Sequence, residues 1–249
     1  MIYVPLSMHR FEPKCIIKSA WIDHLAFAYD IVEAVRPELL VELGTHKGLS
    51  YFAFCQSMVE NDIEGLAYAV DNWEGEEHAG KHESQVYQEV MKHNREYYRA
   101  FSYPLKMYFH EALNHFDNDT IDLLHIDGLH TYDAVKEDFS NWYPKVKPGG
   151  IILFHDICAR IKDFGVWKFW EELQEEHQCF SFHHGFGLGV LRKPGGYKPD
   201  HPLLQLLFDS PQEEHGEIRK IYSLASEFLE CKRKTRRLIA GQQALNSQK

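Results

Sequence analysis

The sequence predicts an α/β fold in which a mostly parallel β-sheet is covered by helices on both faces. Short apolar segments that suit buried strands alternate with longer segments whose apolar residues recur at helical spacing. Three strand segments run directly into Gly44, Asp127 and Asp156, and a fourth ends in Asp71. Because ligands bind beyond the carboxyl ends of parallel strands, we expect these junctions to form a functional site.

The predicted elements follow one another in a regular order. Strands are expected at residues 39–43, 66–71, 105–109, 121–126 and 151–154, with a closing pair at 179–182 and 188–191. Helices are expected at residues 20–36, 49–60, 83–99, 131–143 and 163–176. Ser19 can cap the first helix, and residues 148–150 are expected to turn the chain into the fifth strand. The predicted organisation is an N-terminal extension (1–18), one domain (19–195), and a linker with a C-terminal helical tail (196–249).

The composition excludes several classes of protein. With 249 residues, of which 44% are hydrophobic and 14% aromatic, the chain can build a sizeable core. Its formal net charge of −10 argues against a general nucleic-acid-binding protein, which needs a basic surface. The concentrated basic run at residues 232–237 fits the solvated face of a helix better than a binding patch.

The cysteines and the N-terminal residues bear on the cellular compartment. The five cysteines are scattered, and no Cys-x-x-Cys pair occurs, so neither a disulfide framework nor a thiolate zinc site is predicted. Residues 1–15 contain no apolar stretch long enough for a signal peptide, and no run approaches the length of a membrane span. We therefore expect a soluble, cytoplasmic protein in a reducing environment.

The turn after the first strand is the first candidate site. Its glycines let the backbone approach a ligand closely, but their spacing fits neither the nicotinamide fingerprint nor a P-loop. An acid and two glycines in the order Glu-x-Gly-x-x-x-Gly suit a ligand whose ammonium and carboxylate meet an acidic side chain and backbone N–H groups. S-adenosylmethionine has this shape, although an ordinary glycine-rich turn gives the same pattern. The candidate cofactor-binding residues here are Glu42, Gly44, Thr45, Gly48 and Ser50.

Asp71, which closes the second strand, is the second candidate. An acid at this place can accept hydrogen bonds from both ribose hydroxyls of a nucleoside. A solvated loop aspartate is the alternative. The turn and Asp71 together favour a nucleoside ligand more strongly than either does alone.

Asp127 and Asp156 each follow a buried strand, so both carboxylates are expected at the same edge of the sheet. Two carboxylates that converge on one crevice repel each other unless a cation or a proton lies between them. Oxygen ligands suit Mg²⁺ or another hard divalent cation. His155 is a candidate third metal ligand, although imidazole is a poor match for Mg²⁺.

His130 lies three residues after Asp127 and is a candidate general base. An unperturbed imidazole titrates near neutral pH, so it can accept a proton from a substrate hydroxyl. A structural hydrogen bond is the alternative role for this side chain.

Residues 72–81, with Trp73 and His78, are a candidate lid or a simple surface loop. Asp138 is expected to have a structural role.

Taken together, these stretches resemble methyltransferase family 24, a family of class I methyltransferases related to the macrocin O-methyltransferases and the cephalosporin-hydroxylase-like proteins. The densest match is IDLLHIDGLHTY at residues 121–132. The other matching segments are residues 19–21, 24, 27–28, 41–51, 71–75, 78–80, 138, 148–156, 164–167 and 185–191. Several linked motifs in the right order are more specific than any single motif.

The resemblance implies a Rossmann-like seven-stranded sheet that binds S-adenosylmethionine, with Glu42, Gly44 and Asp71 at the cofactor. It also implies that Asp127 and Asp156 hold a divalent metal and that His130 takes the substrate proton, so Asp127 and His130 count as catalytic. Related proteins are associated with glycosyltransferases, so we expect a sugar or glycan hydroxyl as the acceptor and a glycosyltransferase as a candidate partner. One departure is His155, because better-understood relatives often place an acid or an amide there.

Two other classes of function stay open. One is a non-catalytic cofactor-binding module of a glycan-assembly complex, docked through the helix expected at residues 213–245. The other is a hydroxylase-like oxidoreductase, although no nicotinamide fingerprint or facial metal triad is evident in the sequence. Homo-oligomer formation is also left open.

Overall fold

The computed structural model describes residues 3–76, 80–81, 84–196 and 199–246. The strands in these residues are β1 (Leu39–Leu43), β2 (Leu66–Asp71), β3 (Gly75–Glu76), β4 (Gly80–Lys81), β5 (Ser102–Lys106), β6 (Ile121–Ile126), β7 (Val146–His155), β8 (Gln178–Phe182) and β9 (Leu188–Arg192). The α-helices are α1 (Leu6–Arg10), α2 (Leu25–Val35), α3 (Leu49–Glu60), α4 (Ser84–Tyr97), α5 (Phe109–Ala112), α6 (Tyr132–Trp142), α7 (Val166–Glu176), α8 (Pro202–Phe208) and α9 (His215–Asn246). Short 3₁₀ helices lie at Ala20–His24, Leu113–His115, Tyr143–Lys145 and Gln212–Glu214.

Seven of the described strands form one sheet in the order β5-β2-β1-β6-β7-β9-β8. Neighbours from β5 to β7 pair in parallel, whereas β9 runs antiparallel to both β7 and β8. The strand order reverses between β1 and β6, since the chain extends the sheet from β1 in one direction and from β6 in the other. Such a reversal opens a crevice beyond the carboxyl ends of the strands. The predicted mostly parallel seven-stranded sheet is confirmed.

Both faces of the sheet are buried, which explains the apolar character of its central strands. One core contains residues of α2, α3, α8 and α9, and the other contains residues of α6 and α7. Because successive side chains of β1 point to opposite faces, Leu40 lies in the first core and Val41 in the second. Among the described residues, no helix combines the length and the apolar character needed to cross a membrane.

The predicted third strand is present, but its predicted bounds, residues 105–109, are wrong by three residues. The strand is β5, Ser102–Lys106, and Phe109 begins α5. Ser102 is buried, and its hydroxyl hydrogen-bonds to the Tyr51 hydroxyl at 2.6 Å and to Asn94 Oδ1 at 2.5 Å. Ser102 is thus a polar residue at a buried strand position, and a search for apolar runs does not predict a strand that begins there. As an edge strand, β5 also tolerates Pro104.

Residues 148–150, predicted as a turn into the fifth strand, are part of β7 but form an irregularity there, because the register against β6 shifts from Ile121–Val146 to Leu123–Ile151. Gly149 takes φ 85°, and its N–H donates to the Lys193 carbonyl at 2.9 Å. The Lys193 N–H returns a bond of 2.9 Å to the Gly150 carbonyl. Pairing with the residue just after β9 thus keeps this glycine-containing segment in the strand.

Helices α1 and α9 both pack against α2, although both lie outside the predicted central domain. Ser7 of α1 donates to the Asp30 carboxylate through its N–H at 2.8 Å and its hydroxyl at 2.9 Å. Tyr222 of α9 donates a third bond to Asp30 at 3.1 Å. Asp30 is 1% exposed, so this carboxyl group connects both ends of the chain to α2 from a buried position. The domain boundaries at residues 18 and 196 stay a prediction.

The pH dependence of stability tests the buried Asp30. Burial raises the pKa of Asp30 to about 7, against about 3.9 for an unperturbed aspartate. Because the folded protein binds this proton more tightly, the stabilisation is complete below the unfolded pKa and is lost as pH rises through about 7. Between pH 5 and pH 8, we expect the free energy of unfolding of the wild type to fall by about 2–3 kcal/mol more than that of Asp30→Asn.

Urea denaturation at the two pH values measures this difference. Glu64→Gln, which removes an exposed carboxyl outside α2, is the control and should keep the wild-type dependence of the free energy of unfolding on pH. If the free energy of unfolding changed equally between pH 5 and pH 8 in the wild type and in Asp30→Asn, Asp30 would not bind its proton more tightly in the folded protein.

Candidate active site

The turn between β1 and α3 brings two loops into contact where the strand order reverses. Gly44 follows β1 with φ 87°, and a Cβ added there would lie 2.0 Å from the backbone oxygen of Asp127. Asp127 follows β6, and its N–H donates to the Leu43 carbonyl at 2.9 Å. A side chain at position 44 would push the two loops apart, so this position requires glycine.

A cavity of about 360 Å³ opens beyond the carboxyl ends of β1, β2 and β6. A volume of this size suits a small organic ligand such as a nucleoside. Among the predicted site residues, those in its wall are Gly44, Asp71, Asp127 and Asp138. A smaller neighbouring cavity of about 60 Å³ is lined by Gly44, Thr45, Ser50 and Asp127. As far as the described residues outline these two cavities, Glu42 and Gly48 line neither of them.

Asp71 ties the end of β2 to the β1–α3 turn. One carboxylate oxygen accepts the His46 N–H at 2.8 Å, and the other accepts the Trp73 N–H at 2.6 Å. Trp73 is buried, and its indole N–H donates to the His46 carbonyl at 2.7 Å. The turn that contains Gly44 is therefore held in place by Asp71 and Trp73.

The candidate lid at residues 72–81 is described in part. Gly75–Glu76 and Gly80–Lys81 form the antiparallel hairpin of β3 and β4, and Gly75 lines the cavity. Residues 77–79, which include His78, lie outside the described residues. The lid itself stays a prediction.

The cavity wall on the side of α5 and α6 was not foreseen in the sequence. Its aromatic members are Tyr108, Phe109, His110 and Trp142. Helix α5 is only four residues long, and its local signal is a capping box in which Glu111 accepts the Tyr108 N–H at 3.0 Å. Asp138, expected to be structural, also borders the cavity, and burial raises its pKa to about 7.

Glu42 lies in a buried hydrogen-bonded chain that sequence reasoning also missed. The carboxylate is fully buried, and its Oε2 lies 2.8 Å from His125 Nδ1. The Trp21 indole N–H can only donate, and it lies 3.2 Å from His125 Nε2. His125 Nε2 must therefore accept, so the proton on Nδ1 is donated to Glu42. The other oxygen, Oε1, has no hydrogen-bond partner among the described residues.

Asp127, His130, His155 and Asp156 converge at the ends of β6 and β7, and we call them the acid–imidazole cluster. His130 Nε2 lies 3.4 Å from Asp127 Oδ1 and 3.0 Å from Asp156 Oδ2. His155 Nδ1 lies 3.4 Å and 3.3 Å from the same two oxygens. Ligand atoms of Asp127, His130 and Asp156 all lie within 4.8 Å of one another, which one metal ion can span. All the residues predicted as metal ligands or catalytic groups are therefore neighbours.

The local backbone is unusual at one member of the cluster. Asp156 takes φ 63°, the left-handed conformation that is uncommon for residues other than glycine. Such a conformation costs about 1–3 kcal/mol and persists where surrounding structure holds it. It places the carboxylate of Asp156 opposite that of Asp127.

The cluster balances its charges with protons. Burial lowers the pKa of His130, but hydrogen bonds to Asp127 and Asp156 outweigh it and raise the pKa to about 10. Burial likewise lowers the pKa of His155, but the charges of the two carboxylates raise it to about 10. Burial raises the pKa of both carboxyl groups, whereas the charge of His155 and the hydrogen bond from His130 hold each below its usual value. Two imidazolium groups thus compensate two carboxylates at neutral pH.

Comparison with known proteins identifies relatives of this chain. Residues 41–157 match a family model described as a methyltransferase domain. An uncharacterised protein of Sinorhizobium fredii is 45% identical over 192 residues, which cover 77% of this chain and 21% of that protein. The chain therefore spans about a fifth of the length of this curated relative.

Two solved structures have the same fold at low sequence identity. The O-methyltransferase TomG from Streptomyces achromogenes, involved in tomaymycin synthesis and solved in complex with S-adenosylmethionine, has a TM-score of 0.52 and 13% identity over 74% of this chain and 83% of that chain. An O-methyltransferase from Bacillus cereus, in complex with S-adenosylhomocysteine, has a TM-score of 0.52 and 11% identity over 73% of this chain and 84% of that chain.

The family match includes the structural features that form the site. It runs from β1 to just beyond β7, so it contains the Gly44 turn, Asp71 and the whole acid–imidazole cluster. The seven-stranded sheet agrees with the fold of the two solved structures. The match over residues 41–157 agrees with the resemblance to methyltransferase family 24, and the sheet has the fold of the two solved O-methyltransferases.

Proposed function

We propose that this protein is an S-adenosylmethionine-dependent O-methyltransferase assisted by a divalent metal. The observation that carries the proposal is that Asp127 belongs both to the cavity wall and to the acid–imidazole cluster. A ligand in the cavity and an acceptor oxygen at the cluster would therefore be neighbours. Holding two reactants side by side in a fixed orientation is a large part of catalysis.

The cavity residues fit S-adenosylmethionine, which supplies an electrophilic methyl group when it is bound. Asp71 borders the cavity, and its carboxylate, which accepts the His46 and Trp73 N–H groups, is held where an acid can accept hydrogen bonds from ribose hydroxyls. Tyr108 and Phe109 offer aromatic surface for an adenine ring. Buried Glu42 Oε1 and Thr45 Oγ1 lack hydrogen-bond partners among the described residues, which favours a polar ligand group nearby.

The acid–imidazole cluster fits a divalent cation. A metal held there would act as a Lewis acid toward the acceptor hydroxyl. Asp127 and Asp156 would supply carboxylate oxygens, and His155 Nδ1 would supply a nitrogen. Asp156 Oδ1 is buried without a hydrogen-bond partner among the described residues, as expected for an oxygen with a further ligand to bind.

His130 is the proposed proton acceptor. Its Nε2 faces both carboxylates, which keep it protonated in the absence of a cation. A bound dication would neutralise the charges that raise this pKa, and the ring would then return toward its ordinary range near 6.5. Nε2 would thus be ready to take the proton of the acceptor hydroxyl. Stacking on Phe164, with ring centroids 4.6 Å apart and an interplanar angle of 6°, orients the imidazole.

A sugar or glycan hydroxyl is the proposed acceptor, and the family resemblance is the main support. Lys18, Ser19, Lys47 and Trp21 line the 60 Å³ cavity that borders Asp127. Such polar groups beside an aromatic ring suit a hydroxylated substrate. The same resemblance supports a glycosyltransferase as a candidate partner.

Cofactor binding can be tested at Gly44. Gly44→Ala places a methyl group 2.0 Å from the Asp127 carbonyl at a backbone angle that favours glycine. We expect the dissociation constant for S-adenosylhomocysteine, measured by calorimetry, to rise about 10-fold or more, consistent with about 1–3 kcal/mol of strain. Gly216→Ala is the control, because a Cβ there meets nothing within 4 Å.

Circular dichroism of both variants verifies that they are folded. A folded Gly44→Ala protein with wild-type affinity would remove the β1–α3 turn from the binding site. No measurable affinity of the wild type for the nucleoside would refute the cofactor assignment.

The role of His130 can be separated from metal binding. If His130 accepts the proton, His130→Ala should lower kcat by about 10²-fold or more while the affinities for S-adenosylhomocysteine and metal stay near wild type. His110→Ala is the control for loss of an imidazole that lines the cavity but lies outside the cluster. Unchanged turnover would exclude His130 as the base, and loss of metal affinity would make it a ligand instead.

The acceptor class needs a direct screen. Transfer of labelled methyl groups onto nucleotide sugars and glycan oligosaccharides, with and without a chelator, is the appropriate assay. We expect transfer to at least one hydroxylated acceptor and its loss on chelation, because the proposed metal would be the Lewis acid that lowers the pKa of the acceptor hydroxyl. Tight nucleoside binding without transfer to any acceptor would favour the non-catalytic module.

A further inference from the structure

His155 gives the acid–imidazole cluster a nitrogen donor in a fixed position. The residue ends β7, is 5% exposed and directly precedes Asp156. Its Nε2 lies 3.1 Å from the Gly185 carbonyl. A carbonyl only accepts, so Nε2 carries a proton in both the charged and the neutral ring, and a cation that displaced the second proton would meet a lone pair on Nδ1. Nδ1 faces Asp127 Oδ1 at 3.4 Å and Asp156 Oδ2 at 3.3 Å.

The surroundings of His155 hold this orientation. The Gly185 carbonyl also lies 3.1 Å from His24 Nε2, so two buried imidazoles share one backbone acceptor. Gly185 takes φ 56°, and a Cβ there would lie 2.9 Å from His24 Nε2. The Trp21 and His24 rings lie 5.8 and 5.7 Å from the His155 ring, centroid to centroid. A ring packed this way cannot turn Nδ1 away from the carboxylates without disturbing its neighbours.

Hydrogen bonding of one imidazole nitrogen to a backbone carbonyl is the usual arrangement of a metal-binding histidine. That bond fixes the tautomer and directs the other nitrogen to the metal. With Nε2 held by the Gly185 carbonyl, Nδ1 is the nitrogen directed toward the two carboxylates. His130 Nε2 faces the same two carboxylates and is a second imidazole nitrogen within reach.

The donor set decides which cations the cluster prefers. Mg²⁺ binds oxygen ligands and water, whereas imidazole suits first-row transition metals such as iron, cobalt and zinc. We infer that His155 makes this site selective for a first-row transition-metal dication over Mg²⁺. The inference rests on the proposed metal-assisted function, and it narrows the choice of the divalent metal.

Metal titration of the untagged, chelator-treated full chain tests the inference without any assay of turnover. Calorimetry with Co²⁺ and Mg²⁺ should give a Co²⁺ affinity higher by about 100-fold or more for the wild type. His155→Asp replaces the nitrogen by oxygen, and we expect the ratio to fall below about 10-fold. His115→Asp, the same change at an exposed histidine away from the cluster, should keep the wild-type ratio.

A second measurement needs no variant. Pulsed electron paramagnetic resonance of the Mn²⁺-loaded wild type should show coupling to ¹⁴N of a directly bound imidazole, and its absence would overturn the inference. A Mg²⁺ affinity within 10-fold of Co²⁺, or an unchanged ratio in a folded His155→Asp variant, would also overturn it. In both cases the proposed methyl transfer would stand with Mg²⁺, whereas failure of every dication to bind would remove the metal from the proposed function as well.

Discussion

The close approach of the β1–α3 turn to the loop after β6 is the constraint on which the site depends. Gly44 has no side chain, so the backbone of the turn packs directly against the Asp127 carbonyl. This contact lies at the reversal of strand order, where the two halves of the parallel sheet diverge. The nucleoside-sized cavity and the acid–imidazole cluster both border it through Asp127. A single glycine conformation therefore allows the cavity and a cluster of ionisable groups to share one residue.

A chain of buried, hydrogen-bonded polar groups lies behind that contact. Trp21, His125 and Glu42 form a chain in which each proton has a defined position. Its last oxygen, Glu42 Oε1, lacks a partner among the described residues, and burying such a group costs about 1–3 kcal/mol. A ligand group that supplied the missing hydrogen bond would recover this cost on binding. A polar ligand group that reached Glu42 Oε1 would therefore bind more tightly, although Glu42 does not line either cavity.

Sequence patterns predicted the central strands and the strand-end residues, and the reasons are local. β1, β2, β6 and α3 match their predicted bounds because buried apolar runs there end at a glycine or at polar residues. Carboxyl ends of parallel strands meet at one edge, so the convergence of Asp127 and Asp156 followed from the topology. The Trp21–His125–Glu42 chain was not predictable, since its hydrogen bonds join residues 104 and 83 positions apart. β5 was misplaced because its inward Ser102 is satisfied by tertiary hydrogen bonds rather than by apolar packing.

Replacing an acid by histidine beside Asp156 has a consequence for reactivity as well as for selectivity. Two carboxylates and neutral imidazoles compensate a dication fully, whereas a third carboxylate would leave the assembly with a net negative charge. Each added anionic ligand weakens the field that a metal exerts on an acceptor oxygen. In the proposed function, a dication held by two carboxylates would exert more of its charge on the acceptor hydroxyl and would lower the pKa of that hydroxyl further. Since the Gly44 turn and the cavity are built from other residues, a histidine at position 155 would alter the proposed acceptor side of the site and leave the proposed cofactor side unchanged.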